Sequence, residues 1–424
     1  MSKNILITSI PCWNQKSGSD TLSSLFKEFA PETLANIYIL SGTPDSMVCS
    51  RYFNIHEWQV VKSVFRRNIA TGHEVFVTNG NDLSSNVNKD FAPKSKIAIK
   101  RRRIFLWIRE LAWMFGKWNS RELKDFIEDF DPEILVFPIE SYPYFNRINE
   151  YIIKTFRPKK VIGYLWDDNF TYKQRPKSLI YNLERFFLRR QVSRLVSLCT
   201  NVIAISPKMK KECDEEFGIQ STVITKPILN TFPFKPYSIS TPINILYTGK
   251  LIIGRDQALL SLVETLEKSG YKSDQIHINV YTNTILSNVL KRRFDESPYC
   301  TIHSAVPQDE VFRLQQEADI LLFLESLSDK DLTARLSFST KLTDYFAAGK
   351  CIWAIGNSGL GPIEYLRSEN AGIVSCNIEE IADALSQIIN DKNCISDYAQ
   401  KSYDCGKRNH NYDIITKKLR ALIN

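Results

Sequence analysis

Two cations stand five residues apart in the stretch YTGKLIIGRDQALL (residues 247–260): Lys250 and Arg255, each directly preceded by a glycine, Gly249 and Gly254. They follow an apolar run, residues 243–247, that reads as a buried strand. In open parallel sheets ligands collect outside the carboxyl ends of strands. Glycine lets an anion approach the backbone, Arg grips phosphate oxygens in pairs, and Lys acts as a point charge. The pair is a candidate diphosphate clamp; the alternative is two solvated cations on a loop. A second anion signal lies in SFSTKLTDYFAAGK (residues 337–350). Ser339 suits the N-cap and Gly349 the C-cap of a short helix over residues 341–348. The free N–H groups of such a start attract anions, with Lys341 adding charge. Asp344, one turn further in, suits two ribose hydroxyls, or else simply favours the helix dipole.

The first half offers carboxylates. GYLWDDNF sets Asp167 and Asp168 just beyond the apolar run 161–164. Either suits a general base, or a cap for the next helix. Glu140 follows the run 134–137 in the same way. Several familiar sites are missing. No G-x-G-x-x-G follows the first apolar run, and no Gly-Lys pair is continued by the Ser or Thr of a P-loop. The five histidines are dispersed, without metal-ligand spacing. The triplets Asp129/Asp131 and Asp329/Asp331 read as polar turns better than as metal ligands. No metal and no cofactor is expected.

These residues must be held by a large chain. Its 424 residues, 43% apolar, exceed one comfortable core, so two domains are expected. Ten apolar runs alternate with helix-period segments, the pattern of doubly wound α/β layers. The strands are expected at 4–10, 36–40, 74–78, 134–137, 161–164, 202–205, 243–247, 276–281, 320–323 and 351–355. Four prolines between residues 227 and 242 mark a linker. The expected division is 1–235, 240–405 and a C-terminal helix within 406–424 that packs on either domain. Nine scattered cysteines without a C-x-x-C pair read as reduced thiols, and residues 1–13 do not read as a signal peptide. Both point to a cytoplasmic protein.

The net charge of +8 is concentrated. Between residues 94 and 117 eight cations face Glu110 alone. There Arg101, Arg102 and Arg103 precede Trp107 and Trp113, a mixture that suits an interfacial helix on an anionic leaflet. An amphipathic core helix with a solvated basic start is the alternative. No nucleic-acid-binding motif accompanies the charge.

With these motifs in place, the chain resembles the GT-B glycosyltransferases, most closely glycosyltransferase family 4. The family's Gly-Arg-Leu turn, with a Lys five residues on, is matched by Gly249-Lys250-Leu251 and Arg255 with the cations exchanged. Its segment before the linker resembles NVIAISPKMKKECDEEFGIQSTVITKP. Its base-side segment resembles HSAVPQDEVFRLQQEADILLFL, which opens on His303. LTDYFAAGK and NAGIV match its donor helix and the following strand. The similarity is good over residues 200–390 and loose before them. It implies two Rossmann-like domains facing a cleft, with the acceptor on the first and the donor on the second. The donor site would comprise Gly249, Lys250, Arg255, His303, Ser339, Thr340, Lys341 and Asp344. The loop QKSGSD, with Ser17, Gly18 and Ser19, would face the cleft beside Glu140. One departure stands out: the family's first carboxylate falls on Leu336. The expectation is a metal-independent hexosyltransferase acting between a nucleotide diphosphate sugar, of UDP or GDP type, and a saccharide or lipid-linked saccharide. An epimerase of the same fold and a catalytically silent partner subunit are the rival readings.

Overall fold

Near-continuous apolar runs become the central strands of two sheets, as strands covered on both faces should. The computed structural model describes residues 3–13, 21–66, 68–77, 96–174, 178–229, 233–330 and 332–424, with the backbone alone over 96–104. The first sheet holds β1 (Ile5–Ser9), β2 (Leu34–Tyr38), β3 (Arg51–Ile55), β4 (Gly72–Val75), β5 (Ile134–Pro138), β6 (Lys160–Leu165), β7 (Asn201–Ala204) and β8 (Thr222–Val223). Their spatial order is β4-β3-β2-β1-β5-β6-β7-β8. The second holds β9 (Ile243–Thr248), β10 (Ile276–Thr282), β11 (Cys300–Ser304), β12 (Ile320–Leu324), β13 (Cys351–Ile355) and β14 (Ile373–Ser375), in the order β11-β10-β9-β12-β13-β14. Pairing is parallel throughout except at the edge, where β4 runs antiparallel to β3. Each order reverses once, at β1/β5 and at β9/β12. Such switch points open crevices beyond the carboxyl ends of the strands.

The helices of the first half are α1 (Thr21–Leu25), α2 (Glu57–Ser63), α3 (Lys96–Phe115), α4 (Arg121–Phe130), α5 (Pro143–Phe156), α6 (Leu179–Leu198) and α7 (Pro207–Phe217). Those of the second are α8 (Arg255–Ser269), α9 (Asn288–Asp295), α10 (Gln308–Glu317), α11 (Thr340–Ala348), α12 (Gly361–Ser368), α13 (Ile378–Asn390), α14 (Asn393–Asn409) and α15 (Tyr412–Ile423). Ser120, Ser178, Ser206, Ser287 and Asn377 each accept a backbone N–H at a helix start. Each such cap contributes about 1 kcal/mol over alanine.

The carboxyl ends of the two sheets face one another. The loops after β6 and β7 meet the loop after β12: the Leu332 amide donates to the Gln174 carbonyl at 3.0 Å, and the Ser206 hydroxyl to the Leu336 carbonyl at 2.8 Å. Arg335 crosses the same seam to Asp168, at 3.1 Å, and to Glu212. The apolar core of the first half continues into the second through Leu336, Phe338, Phe346 and Tyr365. The chain then returns. Lys3 donates to the carbonyl of Ile423 at 3.1 Å, and the Arg420 guanidinium lies 4.9 Å from the Phe29 ring centroid, so α15 rests against the first half.

His410 sits where that return begins, 2% exposed. Its ring nitrogens lie 2.8 Å from the Thr225 hydroxyl and 2.8 Å from the Tyr365 hydroxyl, and its ring stacks on Phe338 and Phe346. Burial pushes its pKa down to about 3. The unfolded chain, with an ordinary imidazole near 6.5, therefore binds the proton first. Stability is complete above about pH 6.5 and is lost as pH falls toward 3, by up to about 1.4 kcal/mol per unit. Urea midpoints at pH 7.5 and 5.0 should show a loss of about 2 kcal/mol that His410→Gln abolishes. Equal acid sensitivity in both proteins would remove His410 as its origin.

Candidate active site

The crevice between β9 and β12 gathers three charged side chains around one glycine. Gly249 has φ +134°, outside the range that side-chain-bearing residues readily adopt. A Cβ there would fall 2.2 Å from the Lys341 Nζ, so the glycine makes room for the amine. The amine lies 3.4 Å from the Tyr247 hydroxyl and 4.5 Å from the ring centroid. Arg255 opens α8 and forks onto Glu325, at 2.8 and 3.2 Å. Glu325, directly after β12, is 3% exposed. That ion pair is neutral in sum. The Lys341 charge is not balanced in this way: burial and then Arg255 push its pKa down to about 7, while Glu325 and Asp344 pull upward without bonding it.

Lys250, expected to share the clamp, is exposed; its backbone carbonyl accepts from the Tyr247 hydroxyl at 2.8 Å. The cations that the fold brings together are Arg255 and Lys341. α11 begins at Thr340 beside them, and Ser339 occupies its N-cap with extended backbone. The Ser339 hydroxyl forms no cap bond, contrary to expectation, so the first N–H groups of α11 keep their capacity for an anion. Asp344 is tied to the buried Lys226 at 3.1 Å; burial raises its pKa and Lys226 opposes that shift. His303, on β11, stacks on Tyr281 at 4.5 Å and lies 3.0 Å from the Asn279 amide oxygen. The pair presents a flat aromatic face at the carboxyl end of β10 and β11.

Of the two aspartates after β6, Asp168 is fully committed. It is 1% exposed and accepts from the Thr171 amide at 2.9 Å, the Thr171 hydroxyl and Arg335. That is the capping alternative, not a free base. Asp167 is exposed. Glu140 is buried, and burial followed by the Asp167 charge pushes its pKa up to about 8. Ser17, Gly18 and Ser19 lie outside the described residues.

The basic helix is α3. The backbone of Arg101, Arg102 and Arg103 runs in it, their side chains lying outside the described part. Trp107 is 53% exposed, as a surface patch requires. Trp113 is not part of that patch: it is fully buried, stacked on Tyr144 at 4.6 Å and donating to Glu57. The exposed surface extends instead onto α6, which the sequence reading missed. Leu179, Ile180, Leu183, Phe186 and Phe187 are exposed there, and Trp107 donates to Glu184 of α6 at 2.9 Å. Glu325 and Arg335 were missed as well. Glu325 carried a signal: a carboxylate directly after ILLFL, at the end of a buried strand.

Two facing Rossmann-like units with a crevice at each switch point constitute the GT-B fold. The comparisons with solved structures agree. The chain is similar to TarM of S. aureus (TM-score 0.61, 10% identity, 100% of this chain and 99% of that one). It is similar to Anabaena HepE in complex with UDP (0.63, 9%, 99% of both) and to a trehalose-6-phosphate synthase from Burkholderia multivorans (0.60, 6%, 100% and 98%). At these identities the likeness carries the fold alone. No protein-family model matches the chain, and no curated protein matches it.

Proposed function

We propose that the protein is a glycosyltransferase that moves a hexose from a nucleotide diphosphate sugar to a saccharide or lipid-linked saccharide, in surface polysaccharide or glycoconjugate assembly. The observation that carries this is the crevice at β9/β12: Lys341 lacks a bonded carboxylate, Arg255 stands beside it, and an open helix start faces the same place. A diphosphate supplies the missing anion. The neighbours crystallised with UDP, UDP-glucose or a GlcNAc-glycerol ligand support a nucleotide sugar and a saccharide as partners. During transfer, negative charge grows on the departing nucleotide. Arg255, Lys341 and the first N–H groups of α11 offset it electrostatically. The flat face of Tyr281 and His303 offers a seat for the base. Leu336 in the place of the family carboxylate favours the silent-partner reading, which need not bind a donor.

Thermal stabilisation by UDP, GDP and ADP separates the two. One nucleotide at 100 times its Kd should raise stability by about 2.7 kcal/mol. No shift with any of them would turn the reading to the silent partner.

The α3/α6 surface extends the proposal to the membrane. Exposed aromatic and aliphatic side chains on two linked helices, beside a basic run, suit the inner face of an anionic leaflet and an acceptor drawn from it. Vesicles containing phosphatidylserine should float the protein, and Leu183→Asp with Phe187→Asp should abolish flotation. Equal recovery from neutral and anionic vesicles, or an unaltered double variant, would refute the membrane role.

A further inference from the structure

We infer that the cavity beside the crossing of the two chain passages is a second ligand site, shaped for a small carboxylate with a flat apolar body, and coupled to the crevice at β9/β12 through α11. The site itself does not rest on the transferase reading. Three observations carry it.

First, the cavity is built from the parts that join the halves. Ile228 and Pro233 of the outward passage and Asn411 of the returning one form one side of it; α11 and α14 form the other. Its volume is about 160 Å³. An apolar cavity of about 150 Å³ takes up a single benzene ring, so the space suits one small ring and no more.

Second, the lining is graded from apolar to cationic. Phe346 of α11 is fully buried and Ile228 nearly so, which makes the floor apolar. Tyr403 of α14 is half-buried and supplies a flat wall, its ring centroid 5.6 Å from that of Phe234. Polar groups stand toward the mouth. Lys407 is exposed and forms no ion pair with a described residue, whereas its neighbour Arg408 is paired with Glu369 at 2.7 Å. The Asn411 side-chain oxygen accepts from the Asp413 amide at 2.9 Å, which leaves its two N–H donors to give. No carboxylate is present among the described residues of the lining. An ammonium and amide donors over an apolar floor complement a carboxylate carried on a ring.

Third, one helix joins the two sites. α11 has Thr340 and Lys341 at the crevice and Phe346 and Ala347 at the cavity, within 9 residues. That is about 13 Å of helix. Phe346 cannot move alone. It stacks on His410 at 5.2 Å, and a Cβ on Gly406 of α14 would fall 2.6 Å from its Cβ and 3.1 Å from the Ile228 Cδ1. A ligand that fits one arrangement of α11, α14 and the two passages favours that arrangement. Ring carboxylate and nucleotide must then change one another's affinity by the same factor.

The test uses the full chain and fluorobenzoate, read by fluorine NMR without any nucleotide. Wild type should bind it with a Kd of about 1 mM, the scale open to so small a ligand. Ala347→Leu, which fills the cavity, and Lys407→Glu, which reverses the charge at its mouth, should each weaken binding by about 10-fold or more. Both should melt within a few degrees of wild type, which shows that they fold. Fluorobenzyl alcohol, the neutral counterpart, should bind wild type less well than fluorobenzoate and should not distinguish Lys407→Glu from wild type. No binding at about 20 mM, or equal binding by Ala347→Leu, would overturn the site. Alcohol and carboxylate binding alike would overturn the carboxylate assignment. In the second arm, saturating fluorobenzoate should shift the affinity for UDP by about threefold or more in wild type and not in Ala347→Leu. An unmoved UDP affinity would overturn the coupling. A wild type that binds no nucleotide sinks the transferase reading and the coupling with it, while the NMR arm still decides the site.

Discussion

Arg335→Ala is expected to lower stability by about 3–5 kcal/mol, the loss that follows when one partner is stripped from a buried ion pair. Arg335 is 6% exposed and bridges Asp168, 1% exposed, and Glu212 on α7. Without the guanidinium two carboxylates stay behind, one of them sealed from water. Glu212 is at present held below its ordinary pKa by Arg335 against the pull of burial. Because the bridge spans the seam, the loss should also uncouple the two halves, and a single urea transition should broaden or split. Adding Asp168→Asn to Arg335→Ala should recover part of the loss, since the amide leaves no buried charge. An unchanged midpoint would mean that the bridge is solvated or open in solution.

Lys341→Met should do the opposite. A crowded cation without a bonded carboxylate detracts from stability, so its removal should leave the melting temperature unchanged or raised. Affinity for a nucleoside diphosphate should nonetheless fall about 100-fold, or about 2.7 kcal/mol, the scale of a charge-assisted contact to phosphate. The pH dependence has a definite sign. The folded pKa of Lys341 is depressed to about 7, and only the protonated amine attracts phosphate. Wild-type affinity should therefore decline as pH rises through 7, and Lys341→Arg should flatten that decline. Stability runs the other way: between about 7 and the ordinary lysine value near 10.4 the unfolded chain holds the extra proton, so this group's contribution rises with pH. Calorimetric titration with UDP between pH 6 and 9 reads both variants. Affinity that stays level across that range in wild type would exclude Lys341 from the diphosphate site. Arg255→Ala is less informative, because it also strands Glu325 in the interior.

The sequence disclosed the fold through strands buried on both faces. ILVFP and ILLFL have no alternation to misread, and neither has an exposed side. It did not disclose β3, β8 or β11. RYFNI and CTIHS mix polar with apolar residues, and TV is too short for any period to show. The run around residue 74 reads as a strand but carries no mark of direction, and it pairs antiparallel with β3. The site followed the same division. Arg255, Lys341 and Gly249 are legible as candidates because phosphate chemistry would demand local features: a glycine, a cation and a helix start. The meeting of Lys341 with Arg255 is not local. It depends on a side chain arriving from 92 positions away to fill the space above Gly249. Asp168 likewise looked like a base until Arg335, remote in sequence, arrived to occupy it.

The isolated bridge between Ile228 and Asn411 has a mechanical meaning. The chain passes between the halves twice, once outward after residue 228 and once back at residue 411. At that bridge the two passages lie side by side, with the Ile228 amide donating to the His410 carbonyl at 2.9 Å. A joint of one strand swivels freely, whereas a two-ply ribbon bends across its face and resists torsion. The two halves are thus joined by a two-ply ribbon, which resists skewing more than a single strand would. A point on one half is thereby held in lateral register with its opposite on the other, as two boards are by a double hinge.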